Sequence, residues 1–139
     1  MSDQKQTIAE LKKLNFAPQD SKLASNELIL SHGGVSTTPP FKEGKLTIQD
    51  EAASLVVEAF DFSGDEKVLD ACSAPGGKTT QIAEYLPHGQ VTALDIHEKK
   101  LRLVRQNANR MHVANRVVTK QWTPAKLTNI FLGSNLLKY

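Results

Sequence analysis

The sequence has a single cysteine, Cys72, among 139 residues. An intramolecular disulfide is excluded, and a reducing compartment is expected. Long apolar runs are missing as well. None approaches the roughly 20 residues that a membrane helix needs, and the opening MSDQKQTIAE lacks the apolar centre of a signal peptide. Neither sign of charge is in excess: 17 Lys and Arg stand against 15 acids, a net +2, so overall charge gives no argument for a nucleic-acid partner. The four histidines (His32, His88, His97, His112) are scattered without ligand spacing, and no metal is expected. What is present is an ordinary apolar content of 40% in a chain of single-domain length, expected to be soluble and cytoplasmic.

Three zones follow from the patterning. In residues 1–40, Ile8, Leu11 and Leu14 have helical spacing within 6–14, residues 27–30 suit a short strand, and SHGGVSTTPP reads as a loop or linker. Residues 41–121 are the ordered part. Ile48, Ala52, Leu55, Val56 and Ala59 fall on one helical face, and Thr47 with Asp50 resembles a capping box. Then KVLDAC reads as a buried strand and residues 79–86 as a helix stopped by Pro87. QVTALDI is a second strand, residues 98–111 a second helix with Leu101, Val104, Ala108 and Met111 on one face, and NRVVTK a third strand. Strand and helix alternating at this spacing predict an α/β fold, with three parallel strands joined by crossover helices. Residues 122–139 break the pattern, because only NIFLGS is strand-like.

The chemistry concentrates in VLDACSAPGGKTTQIAEYL, where an apolar run stops at Gly76-Gly77 and Lys78-Thr79-Thr80 opens a helix. A phosphate-binding loop, G-x-x-x-x-G-K-[ST], would need its first glycine where Cys72 stands, and a side chain there obstructs the wrapped turn. The dinucleotide fingerprint G-x-G-x-x-G is also absent. Asp95 closes the second strand, 18 residues after Gly77. An acid near this separation accepts hydrogen bonds from ribose hydroxyls. A glycine turn after strand one with an acid ending strand two selects a ligand that has a ribose and need not have phosphates. S-adenosylmethionine fits, with glycines letting the backbone approach its methionine end. Taken singly, Gly76-Gly77 is also a plain tight turn and Asp95 also a helix cap. A P-loop-like nucleotide-binding protein and a non-catalytic module holding RNA or S-adenosylmethionine stay open as alternatives.

FKEGKLTIQDEAASLV, VLDACSAPGGKTTQIAEYL and VTALDIHEKKLRLVRQNANRM together resemble the Sun/Fmu (RsmB) family of S-adenosylmethionine-dependent ribosomal RNA cytosine-C5 methyltransferases. The resemblance covers residues 41–120 strongly and residues 1–40 weakly. It implies a partial Rossmann-like methyltransferase fold, with residues 41–121 as the cofactor-binding half and residues 1–40 as the remnant of an N-terminal RNA-binding domain. It also implies that Cys72, Ser73, Ala74, Pro75, Gly76, Gly77 and Lys78 line the methionine side of the cofactor while Asp95 holds its ribose. Ribosomal RNA is the implied partner.

In that family a cysteine thiolate adds to C6 of cytosine so that C5 accepts the methyl group, on a base turned out of its stack. The family's nucleophilic and helper cysteines follow strands four and five, the strand-four motif reading D-A-P-C-S-G, and this sequence lacks it. Cys72 belongs to the cofactor turn, so no catalytic residue is assigned and the chain is read as truncated and inactive alone. The family's acid after strand three is also missing from KQWTPAK. Prefixing a single T to one choice of codons for WTPAKLTNIF gives Leu-Asp-Ala-Arg-Lys-Val-Asp-Gln-Tyr, so residues 122–139 are read as a frameshifted tail. Losing strand four would bare one edge of strand one, which is expected to recruit NIFLGS or a second copy as a homodimer. Residues 99–120 hold seven basic residues (Lys99, Lys100, Arg102, Arg105, Arg110, Arg116, Lys120) and no acid. They are read first as a solvated face and second as a phosphate-contacting one.

Overall fold

A computed structural model of the chain describes residues 4–24 and 26–122. The strand-like NIFLGS and nearly all of the tail read as frameshifted lie outside the described residues.

The first helix, α1 (Gln4–Lys13), buries Thr7 and Leu11. Leu14, expected on the same face, falls past the helix end and is exposed, and the chain turns there to bury Phe16 instead. The expected strand at 27–30 appears as β2 (Leu28–Ile29), paired antiparallel with β1 (Gln19–Asp20), which carries no sequence signal of its own. The stretch read as a linker is ordered: a 3₁₀ turn spans Val35–Thr37 and α2 spans Pro39–Lys42. Its prolines sit at the helix start, where a fixed φ suits the helix and no N–H is missed. The boundary expected at residue 40 thus lies inside α2. Leu11, Phe16 and Val35 form a small core with Leu28, Leu30 and Leu46 against it.

Helix α3 (Glu51–Glu58) is capped by Asp50, whose carboxylate accepts from Ala52 N at 2.9 Å. Asp50 is therefore the cap itself, and the box expected from Thr47 does not form. The buried face carries Ser54 and Val57, not the expected stripe; Ile48 is 59% and Val56 56% exposed. Of the expected stripe, Leu55 is half-buried while Ile48, Ala52, Val56 and Ala59 are exposed.

The sheet is as expected. β3 (Lys67–Asp70), β4 (Gln90–Asp95) and β5 (Val117–Gln121) are parallel in the order β3-β4-β5. Val68 lies opposite Val91, and Val91 opposite Val117. The crossovers are α4 (Gly77–Tyr85), which ends before Pro87, and α5 (Glu98–Arg110). Ala83, Leu86, Val91, Ala108 and Val113 form one core; Ala93, Leu101 and Val104 form another. Central β4 is the buried strand. β3 was expected to be buried, yet Lys67 and Leu69 are exposed, because β3 is an edge strand among the described residues.

Arg110, at the end of α5, fastens the segment before α3 to this layer. Its guanidinium donates to Phe41 O (2.8 Å), Leu46 O (2.8 Å) and Thr47 Oγ1 (3.1 Å) and lies 3.9 Å over the Phe41 ring. Burial lowers its pKa from the usual arginine value. Among the described residues no helix is long and apolar enough to cross a membrane.

Candidate functional site

The loop between β3 and α4 is closed by an acid. Asp70, the last residue of β3, accepts from Cys72 N through Oδ1 (3.1 Å) and from the Thr79 hydroxyl through Oδ2 (2.6 Å). One carboxylate thus joins the start of the loop to the first turn of the helix that follows it. Thr80 bonds back to Gly76 O through both its N–H and its hydroxyl, each at 2.9 Å. The N–H groups of Gly77, Lys78 and Thr79 precede this first helical bond, so they form the electropositive N-terminus of α4.

Protein contacts crowd both glycines, Gly76 the more severely. Gly76 has φ +113°, and a Cβ there would lie 3.1 Å from Val104 Cα of α5. A Cβ at Gly77 would lie 3.0 Å from Gln49 Oε1. Besides the close approach to a ligand expected for both, the structure displays close packing, against α5 at Gly76 and against the segment before α3 at Gly77.

Ser73 is buried and donates twice to Leu94 O, from N (3.0 Å) and from Oγ (2.9 Å). These bonds tie the loop to the carboxyl end of β4, one residue from Asp95. Asp95 is also mostly buried; its Oδ1 accepts from His97 N at 2.8 Å. Beside it an open cleft of about 550 Å³ is lined by Ile96, His97, Glu98, Lys99, Lys100 and Gln121. This cleft lies outside the carboxyl ends of parallel strands, where open α/β sheets bind their ligands.

The structure therefore brings all eight expected residues to one end of the sheet, in two kinds of environment. Cys72, Pro75 and Lys78 are exposed, Gly77 is half-buried, and Asp95 is buried next to Ile96 of the cleft. Ser73, Ala74 and Gly76 face inward: Ser73 to Leu94, Ala74 to the Ala93–Leu101–Val104 core, Gly76 to α5. Sequence reasoning missed Asp70, Thr79, Gln49 and Asn107, whose side chain donates to Pro75 O at 2.9 Å. The acid ending the first strand was a usable signal; the reach of Gln49 and Asn107 across sequence was not.

The basic stretch divides in the same way. Arg105 bonds Glu98 and Thr119, Arg110 holds the 41–47 segment, and Arg116 donates to Ala83 O at 3.1 Å. Lys99, Lys100, Arg102 and Lys120 make no ion pair among the described residues.

Comparison with known proteins decides the kinship. A family model described as 16S rRNA methyltransferase RsmB/F matches residues 57–130, more than half of the chain. The chain belongs to the RsmB/F methyltransferase family. A "probable ribosomal RNA small subunit methyltransferase B" of Bacillus subtilis is 37% identical over 111 residues, which is 79% of this chain and 25% of that protein. The ribosomal RNA small subunit methyltransferase B of Photorhabdus laumondii is 43% identical over 84 residues, 60% of this chain and 20% of that protein. The chain thus spans a fifth to a quarter of the length of these curated relatives. A methyltransferase homologue from Pyrococcus horikoshii superposes with a TM-score of 0.81 at 26% identity, over 94% of this chain and 43% of that one. NSun6 from the same organism, crystallised with SFG, superposes with a TM-score of 0.64 at 26% identity, over 73% of this chain and 28% of that one. The partial Rossmann-like methyltransferase fold is the fold of this chain.

Proposed function

We propose that this chain is the S-adenosylmethionine-binding part of a 16S ribosomal RNA cytosine-C5 methyltransferase. The observation that carries the reading is the juxtaposition of the α4 N-terminus and Asp95 at the ends of neighbouring parallel strands, tied by the two Ser73–Leu94 bonds. A helix N-terminus favours an anion such as the methionine carboxylate. The second carboxylate oxygen of Asp95 can accept from ribose hydroxyls. Ile96, with an exposed apolar side chain beside the cleft, offers a surface to a flat base. S-adenosylmethionine brings a methyl group on a sulfonium; these residues bind and orient it.

The phosphate-binding alternative is weakened by Asp70. In a P-loop the hydroxyl after the lysine serves Mg²⁺ and the loop amides serve phosphates. Here the Thr79 hydroxyl and Cys72 N already donate to the Asp70 carboxylate, so neither is free to serve Mg²⁺ or a phosphate. The chain alone is read as catalytically silent. Cys72, its single cysteine, lies in the cofactor turn, and the family's chemistry needs a thiolate placed at cytosine C6. We assign residues 41–121 to the cofactor half, residues 1–40 to the remnant of an RNA-binding domain, ribosomal RNA as the partner, and the cytoplasm as the location.

Calorimetric titration tests this. S-adenosylmethionine is expected to bind and ATP not to; tight ATP binding without S-adenosylmethionine binding would overturn the reading. Methyl transfer to ribosomal RNA by this chain alone would overturn its silence.

A second proposal concerns assembly. One side of β3 is unpaired among the described residues, and Leu69 of that strand is 43% exposed. An open apolar edge recruits another strand, and a second copy is the proposed occupant. Light scattering is expected to show a dimer that Leu69→Lys dissociates; a wild-type monomer contradicts it.

A further inference from the structure

We propose that Gln49, from the segment before α3, is a positioning residue for the methionine end of the cofactor site. This rests on the S-adenosylmethionine reading above. Gln49 lies 27 positions before the Gly76–Gly77 turn and sits directly on it: a Cβ at Gly77 would come within 3.0 Å of Gln49 Oε1 and 3.5 Å of Gln49 Cδ. With its amide turned so that Nε2 faces Gly77, Nε2 donates to Gly77 O and Oε1 accepts from Ser54 N, both at 3.2 Å; Oε1 then lies 2.7 Å from Gln81 Oε1, so the Gln81 amide must turn with it. The Gln49 amide is also 2.7 Å from that of Gln81, which in turn is 2.8 Å from the Ser54 hydroxyl. Ser54 is buried, so this chain of polar groups is anchored in the protein.

The geometry gives Gln49 a function distinct from that of Asp95. Gly77 O belongs to the first peptide of α4, and the direction of the neighbouring N–H groups of Lys78 and Thr79 follows from how that peptide is held. Gln49 grips it from outside the loop, while Asp70 and Asn107 hold the loop at Cys72, Thr79 and Pro75. The Thr80 hydroxyl also donates to Gly77 O, at 3.0 Å, from within the helix, so removing the Gln49 amide loosens the Gly77 peptide on its open side without touching β4. The carboxylate-binding N–H groups are then less well aimed, and the ribose end of the site is unaffected. Glutamate is a poor replacement, because it cannot donate to Gly77 O and sets a negative charge beside the expected carboxylate. Asparagine is one methylene too short to reach.

The test uses the full chain with two probes, S-adenosylmethionine and 5′-methylthioadenosine, which lacks the amino-acid end. Gln49→Ala and Gln49→Glu are each expected to weaken S-adenosylmethionine about tenfold, the order of one misaimed Lys78 or Thr79 N–H bond to its carboxylate, and to leave methylthioadenosine unchanged. Amide hydrogen exchange, read without ligand, is expected to quicken at Gly77–Thr80 while β4 keeps its protection. Equal weakening of both probes, or unchanged S-adenosylmethionine affinity with unchanged exchange, overturns the role of Gln49. Failure of the wild-type chain to bind either probe overturns the cofactor reading itself and takes this inference with it.

Discussion

The Oδ2 atom of Asp70 accepts a 2.6 Å hydrogen bond from the hydroxyl of Thr79, nine residues further on. That single contact closes the loop on which the cofactor reading depends. Thr79 is fully buried, so Thr79→Val leaves a carboxylate oxygen without its partner. The expected loss is about 1–3 kcal/mol of stability, the usual cost of orphaning a buried polar group, together with weaker S-adenosylmethionine binding. Thr79→Ser keeps the hydroxyl and is expected to retain most of both. Urea denaturation and calorimetry on the pair of variants check this.

Gly76 and Gly77 are expected to respond differently to alanine. At Gly76 a Cβ meets the backbone of α5 in a left-handed conformation, so Gly76→Ala is expected to cost more than about 1 kcal/mol. At Gly77 it meets the end of the Gln49 side chain, which can move aside. Gly77→Ala is expected to fold nearly normally and to bind cofactor less well. Thermal unfolding ranks them; equal melting temperatures would contradict the packing argument.

Arg110 tests whether the segment before α3 is an integral part of the fold. Arg110→Ala strips two carbonyls and a hydroxyl of their donor and is expected to cost about 2–3 kcal/mol, hydrogen bonds to a charged group being the stronger kind. Arg110→Lys is expected not to rescue it, since an ammonium cannot reproduce the planar fork or the stacking on Phe41. Limited proteolysis should then cut near residues 41–47 first.

Glu66 gives a pH dependence with a definite sign. The Ser63 backbone N–H, the Ser63 hydroxyl and the Gly64 N–H hold its pKa down at about 2 against the ordinary 4.5. A depressed carboxylate stabilises the fold above its unfolded pKa and loses that contribution as pH falls through the folded one. Glu66→Gln is therefore expected to be less stable than wild type at neutral pH. The gap should close as pH falls from 4.5 toward 2; a pH-independent gap would contradict this.

Much of the sheet was legible in the sequence, for a physical reason. Val91, Ala93 and Leu94 form a short apolar run between the turn at Pro87 and the helix at Glu98, and such runs are buried strands wherever both sides are paired. The same reasoning failed on β3, because an edge strand reads like a central one until its neighbours are known. It failed on α3 because periodicity finds an apolar stripe and cannot say whether anything covers it. Gly76, Gly77 and Asp95 were singled out from their spacing, and the structure brings them to one end of the sheet. Gln49 and Asn107 were not, since their contacts cross about thirty residues of sequence and depend on how α3 and α5 pack. The inward turn of Ser73 toward Leu94 was equally hidden.

The central claim is that one ligand bridges the α4 N-terminus and Asp95. The most direct measurement is an amide chemical-shift map of the full chain titrated with S-adenosylmethionine. The account predicts two groups of perturbed amides, Gly76–Thr79 and Asp95–Glu98, that saturate together with one dissociation constant. Perturbation of one group alone, or of neither, would contradict it.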